Sequence, residues 1–266
     1  MPSPFELASA VIPVAEGRFT ARIPPGWDQG RAAFGGLVLG LLARAMEKSE
    51  PDSSRTLRTL LGDICGPVMP GEVQLEARTL RRGNNQSNLE AHLVQSGAVL
   101  AVGSSVLATP RKAQLPDFAV ETPPAPPDWN SVPVAPIRAP QGPAFGQHVE
   151  FRPLRGLPFS GAPTPDVATF IRLRGQSRPL DSADLIALLD APWPGVFSMA
   201  TGPRASATIS FAGQIFCEPK SLDWTRPLFY RSRIAARHQG HFLELRELWN
   251  GPECVAMNQQ TLALLK

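Results

Sequence analysis

The residues that could do chemistry are few and lie far apart in the chain. Gly35-Gly36 opens the run FGGLVLGLLARAMEKS. The first N–H groups of a helix lack partners inside it, and glycine lets a ligand come close to the backbone. The pair also fits a plain strand-to-helix turn. It is not a P-loop, because no Gly-Lys-Ser/Thr follows, and it lacks GxGxxG spacing. Asp190 ends a second apolar run, SADLIALLD. A carboxylate at a helix C-terminus opposes the helix dipole, so it is either an ordinary helix residue or placed there for a purpose. Gln259 and Gln260 interrupt an apolar strand, VAMNQQTLALL. Neighbours in a strand point to opposite faces, so one turns inward and needs partners there. Arg81 and Arg82, beside Gly83, fit either the phosphates of a ligand or a solvated strand end.

Other chemistries find no residues. No GxSxG elbow occurs, which argues against a serine α/β-hydrolase. His92, His148, His238 and His241 show no metal spacing. Cys65, Cys217 and Cys254 form no CxxC, read as inert core thiols and fit a reducing compartment. The net charge of +3 is spread along the chain with no basic block, and the single Tyr leaves little for base stacking. Nucleic acid is therefore not an expected partner, whereas a phosphate-bearing small molecule is compatible. No apolar stretch approaches the ~18 residues of a membrane span. The first residues lack the basic and apolar regions of a secretory signal, so the expectation is a cytoplasmic protein.

Period and punctuation supply the elements that must position these residues. In the first run Val38, Leu41, Leu42, Ala45 and Met46 fall at helical spacing, and Gly40 and Ala43 leave room for a close neighbour. Strands are expected at 19–23, 55–65, 72–82, 87–95 and 99–109. Between 72 and 79, Val73, Leu75, Ala77 and Thr79 alternate with polar residues. The second half repeats the order. Strands at 148–152 and 167–174 precede a helix capped by Asp181 or Ser182 and stopped by Pro192 and Pro194, and strands follow at 207–217, 228–236, 241–249 and 255–265. Each helix has an apolar stripe for a sheet to cover, so each half is expected to be one helix wrapped by an antiparallel sheet. Between the halves runs a Pro-rich segment without apolar periodicity. The expected division is 1–112, a linker at 113–143, and 144–266.

Two stretches, AFGGLVLGLLARAMEKS and PVMPGEVQLEARTLRRGNNQSNLEAHLVQSGAVLAVGSSVLATP, resemble the N-terminal half of the acyl-CoA thioesterase II family. Its FGG or HGG turn and its Arg-Gly strand end correspond to Phe34-Gly35-Gly36 and Leu80-Arg81-Arg82-Gly83. In the second half Leu188-Leu189-Asp190, Ala207-Thr208-Ile209 and Val255 to Gln260 stand where that family carries an Asp, a Thr or Ser, and a Gln.

The resemblance implies an α+β double hot-dog fold, two antiparallel sheets each wrapped round a central helix, and hydrolysis of an acyl-CoA substrate. Asp190, Thr208 and Gln260 would hold and activate a water with no covalent intermediate. Gly35 and Gly36 would face the developing oxyanion, and Arg81 and Arg82 would meet CoA phosphates. Neither metal nor cofactor is implied, and a homo-oligomer is. One departure stands out: Thr208 lies one position farther from Phe216 than in the family. Either the strand carries an extra residue, for example a bulge near Gly213, or Ser206 or Ser210 supplies the hydroxyl. The alternative function is a non-catalytic hot-dog protein that binds acyl-CoA or acyl-carrier thioesters. A hydratase would want a His beside a helix, and none is there.

Overall fold

The computed structural model describes residues 1–112, 115, 118 and 120–265. A short helix, α1 (Pro4–Ala8), opens the chain. Ser3 caps it, accepting from the Glu6 amide while Glu6 reaches back to the Ser3 amide. This Ser-x-x-Glu box was readable in the sequence. Strands β1 (Ile12–Ala15) and β2 (Arg18–Ile23) follow, then a small hairpin of β3 (Asp28–Gln29) and β4 (Ala32–Ala33). Next come the long helix α2 (Gly35–Ser49) and strands β5 (Thr56–Ile64), β6 (Gly71–Arg82), β7 (Gln86–Gln95) and β8 (Ala98–Ala108). The second half comprises β9 (Val149–Arg155), β10 (Val167–Leu173), α3 (Ser182–Asp190), the single turn α4 (Val196–Met199), β11 (Ser206–Ile215), β12 (Leu228–His238), β13 (His241–Asn250) and β14 (Glu253–Leu264).

Twelve strands join in the order β1-β2-β6-β7-β8-β5-β11-β14-β13-β12-β10-β9. Followed inward from either end, this is one strand order used twice. One expectation needs correction. The halves do not keep separate sheets: β5 pairs with β11, from Thr59 opposite Gln214 to Asp63 opposite Ser210, and fuses them into one. The pairing gives both inner edges a partner for their N–H and C=O groups. A meander, the simplest order for consecutive antiparallel strands, is not what either half adopts. β5 skips β6 and pairs with β8, and β11 likewise pairs with β14.

The helices lie together on the concave side. From Gly35 to Met46 every residue of α2 except Arg44 is buried, and so is all of α3. A helix apolar all round must be enclosed. The sheet covers one side of α2, and α3 covers another. Their approach is close and antiparallel. A Cβ on Gly36 would stand 3.0 Å from Ala187 Cα, and one on Gly40 would stand 3.6 Å from Ala183 Cβ and 3.2 Å from Phe5. The neighbour for which Gly40 leaves room is therefore α3 together with α1.

The segment between the halves is partly outside the described residues. Its later part packs rather than spans. Trp129 and Val132 lie against Ala168, Phe170, Phe229 and Trp249 on the outer face of the second half, and Arg152 stacks over Trp129 while donating to the Val132 carbonyl.

Filling the helix–helix gap tests this packing. Gly40→Leu is expected to destabilise the fold by about 1–3 kcal/mol through overpacking. Urea denaturation should show a lower midpoint at an unchanged slope.

Candidate active site

Asp190 is the last residue of α3, and the antiparallel packing sets it against the first turn of α2. A Cβ on Gly35 would meet Asp190 Oδ2 at 2.8 Å, so only glycine leaves this oxygen its place. Phe34, the N-cap of α2, offers no side-chain acceptor, and the Gly36 amide is among the groups that favour the ionised Asp190. The awkward position of a carboxylate at its own helix C-terminus is resolved here, because it faces the positive end of the neighbouring helix.

Gln260 comes from β14 and is 1% exposed. Its Nε2 donates to Asp190 Oδ1 at 2.9 Å and to Thr208 Oγ1 at 2.7 Å. Its Oε1 accepts from Asn258 Nδ2 at 2.8 Å, and Asn258 Oδ1 in turn accepts from the Ala212 amide. Asn258 therefore fixes which way the Gln260 amide faces. Both Gln260 hydrogens are used, so Thr208 accepts through its oxygen and keeps its own proton to donate. Asp190 keeps Oδ2 free beside Gly35.

The spacing departure at Thr208 has a structural cause. The register of β11 against β14 shifts between Thr208 and Ser210, which leaves Ile209 as an extra residue. The bulge lies there and not near Gly213. Beyond it Phe211, Gly213 and Ile215 face the core. Before it the phase is reset, so Thr208 and Ser206 meet the cavity while Ile209 is exposed. A one-residue shift exchanges the faces of a strand, and this bulge brings Thr208 to Gln260.

The cluster lies on the wall of a cavity of about 430 Å³. Gly35, Val38, Ile64, Val68 and Leu262 supply much of its apolar surface, and Arg31 from the β3–β4 turn also lines it. Cys65, expected in the core, is exposed and borders the same cavity. Arg81 and Arg82 do not line it. Arg82 pairs with Glu50 at the far end of α2, 3.4 Å away, and 15 residues of helix separate that end from Gly35 by ~22 Å.

Sequence reading missed the groups beneath Asp190. Arg246 on β13 is 1% exposed and donates to the carbonyls of Leu189 and Asp190. Burial pushes the Asp190 carboxyl above the ordinary carboxylate range. The Arg246 charge, the Gln260 amide and the Gly36 N–H pull it back, and the negative Glu244 adds to the rise. The duplication does not repeat the cluster. A matching bulge between Leu57 and Thr59 places Leu57 where the second half has Thr208, and Ser105 where it has Gln260. Among the described residues, no group of three or more His, Cys, Asp or Glu could hold a metal ion, and no helix is long and apolar enough to cross a membrane.

Solved structures place this architecture among hot-dog proteins. A conserved protein of unknown function with a hot-dog fold, from Alicyclobacillus acidocaldarius, superposes with a TM-score of 0.88 at 22% identity, covering 100% of this chain and 99% of that one. A candidate thioesterase II from Thermobifida fusca gives 0.84 at 22% identity over 100% and 98%. The acyl-CoA thioesterase II TesB2 of Mycobacterium marinum gives 0.76 at 16% identity over 98% of each chain. At such identities the likeness establishes the fold alone. No match was found among curated proteins. In sequence, residues 23–109 match the acyl-CoA thioesterase N-terminal domain and 117–264 its C-terminal domain. The chain belongs to the acyl-CoA thioesterase family.

A raised carboxyl has a consequence for stability. Its folded state favours the protonated form, so the stability it contributes is present below the unfolded value and lost as pH rises through the folded one. Asp190→Asn removes this loss. The variant is expected to be at least as stable as the parent at pH 8, with the advantage shrinking towards pH 4, as read by chemical denaturation at both pH values.

Proposed function

We propose that the chain hydrolyses acyl-CoA thioesters to the free acid and CoA, using a water held and activated by Asp190, Thr208 and Gln260. One observation carries this reading: a single amide, Gln260 Nε2, donates to both Asp190 and Thr208 on the wall of the cavity. That arrangement leaves a carboxylate oxygen and a hydroxyl proton for a water and a carbonyl. Asp190 takes a proton as the water attacks the thioester carbon. Charge gathers on the carbonyl oxygen beside Gly35 at the start of α2, whose N–H is oriented before the reaction begins, while the Gly36 N–H serves Asp190. The C–S bond then breaks, and the proton on Asp190 passes to the departing thiolate. The step needs no covalent enzyme intermediate.

Arg31 is a further candidate for the CoA phosphates, beside Arg81 and Arg82. It stands at the cavity on the β3–β4 turn, and among the described residues no carboxylate pairs with it. An exposed guanidinium suits a CoA phosphate. In the same reading, 1–112 and 144–266 are two hot-dog units and 113–143 connects them.

Release of free CoA from a panel of acyl-CoAs, short to long and aromatic, tests the activity. Asp190→Asn should lower kcat by about 10²–10⁴-fold in a folded protein. Unchanged turnover in that variant would remove Asp190 from the site. Saturable acyl-CoA binding without turnover by the parent would replace the enzyme with a thioester-binding protein. Arg31→Ala should raise KM for acyl-CoA on the order of fivefold, with kcat kept, as for one exposed ion contact of ~1 kcal/mol. N-Acetylcysteamine thioesters lack the phosphates and should not respond to that change.

A further inference from the structure

Arg246 and Glu244 form a buried ion pair directly under the C-terminus of α3. Arg246 Nε and Nη2 donate to Glu244 Oε2 at 3.2 and 2.9 Å. Arg246 Nη1 donates to the carbonyls of Leu189 and Asp190 at 3.3 and 3.2 Å and lies 3.8 Å from Asp190 Oδ1. Glu244 is itself held at Oε1 by the Ser232 hydroxyl at 2.7 Å and the Gly195 amide at 2.9 Å. One guanidinium thus meets three accumulations of negative charge: a carboxylate, a second carboxylate, and the carbonyl end of a helix. Its fork reaches them from one fixed plane, which a lysine ammonium cannot do. Four of its five N–H hydrogens meet protein acceptors, although the residue also borders the cavity.

We propose that Arg246, anchored by Glu244, is the positioning residue of this site: it holds the last turn of α3 so that Asp190 faces Gln260 and the cavity. The role rests on the reading of Asp190 as the base. The groups that face Asp190 are few and named. They are Gly35 and Gly36 from α2, Thr208 from β11, Gln260 from β14, and Arg246 with Glu244 from β13, with the buried Tyr230 of β12 adjoining them. Arg246 is the one cation among them. Removing it leaves two buried carboxylates, Asp190 and Glu244, with no cation between them.

Two variants separate this role from bulk packing. Arg246→Gln removes the charge, and Arg246→Lys keeps a charge but loses the fork. Folding is checked by circular dichroism. The titration of Asp190 is followed by its ¹³C carboxyl shift, and kcat/KM is measured against pH. In Arg246→Gln, Asp190 should titrate about one to three pH units higher, as expected when an opposite charge is lost at this range, and the acid limb of kcat/KM should move with it. In Arg246→Lys the midpoint should rise less, while kcat falls about 100-fold with KM little changed, because the carboxylate is no longer aimed.

Folded variants with the parent's midpoint and the parent's kcat would overturn the proposal. Should Arg246→Gln fail to fold, Arg246→Lys decides it alone: a raised midpoint supports the role, and an unmoved midpoint refutes it. If the parent hydrolyses no thioester, the proposed function fails, and the carboxyl titration still decides the role of Arg246.

Discussion

The close antiparallel contact between α2 and α3 is the constraint on which the rest of the molecule depends. It needs Gly36 and Gly40 on one helix opposite Ala187 and Ala183 on the other. Larger residues there would push the axes apart and lift Asp190 from Gly35. The contact sets the negative end of one helix beside the positive end of its neighbour. A carboxylate that is badly placed on its own helix becomes well placed between two. The sheet follows from the same contact. Two adjacent helices that are apolar all round need one continuous cover, and the β5–β11 pairing supplies it across the junction.

Burying a carboxylate is costly unless charge and hydrogen bonds compensate. Here the compensation comes from three sides: Gln260 from the sheet, the amide end of α2, and Arg246 from below. Arg246 brings its own problem, a second buried charge, which Glu244 offsets. Glu244 is tied in turn to Ser232 and Gly195. Asp190 Oδ2 and the Thr208 proton are left open at the cavity. The two halves share one strand order, yet they differ at the cluster. Leu57 and Ser105 have neither the acceptor nor the amide that Thr208 and Gln260 provide.

Much of this was legible from one dimension. The helical period of α2, the Asp181 cap of α3, the prolines after it and the turns between strands are local effects, set by neighbours within a few residues. Each major strand lies within a few residues of its expected place. The family pattern also pointed to Asp190, Thr208 and Gln260, which the fold brings within hydrogen-bond reach. Glu244 and Arg246 escaped notice for a physical reason. They share a strand face with buried Leu248, but Leu243 and Leu245 stand on the other face. Alternation by hydropathy would turn the charged pair outward.

The sequence by itself determined the elements, their order, their duplication and the residue types available for chemistry, because these depend on backbone preference and apolar period over short spans. Only the tertiary structure decided that Ile209 is the bulged residue, that Asn258 orients Gln260, that Arg81 and Arg82 lie away from the cavity, and that Arg246 sits beneath Asp190. Each of those outcomes depends on register or on contacts between residues far apart in the chain, such as the 70 positions between Asp190 and Gln260. No local preference encodes such contacts. They are selected by which packing of the whole sheet and helix pair buries the core while leaving the fewest polar groups unpaired.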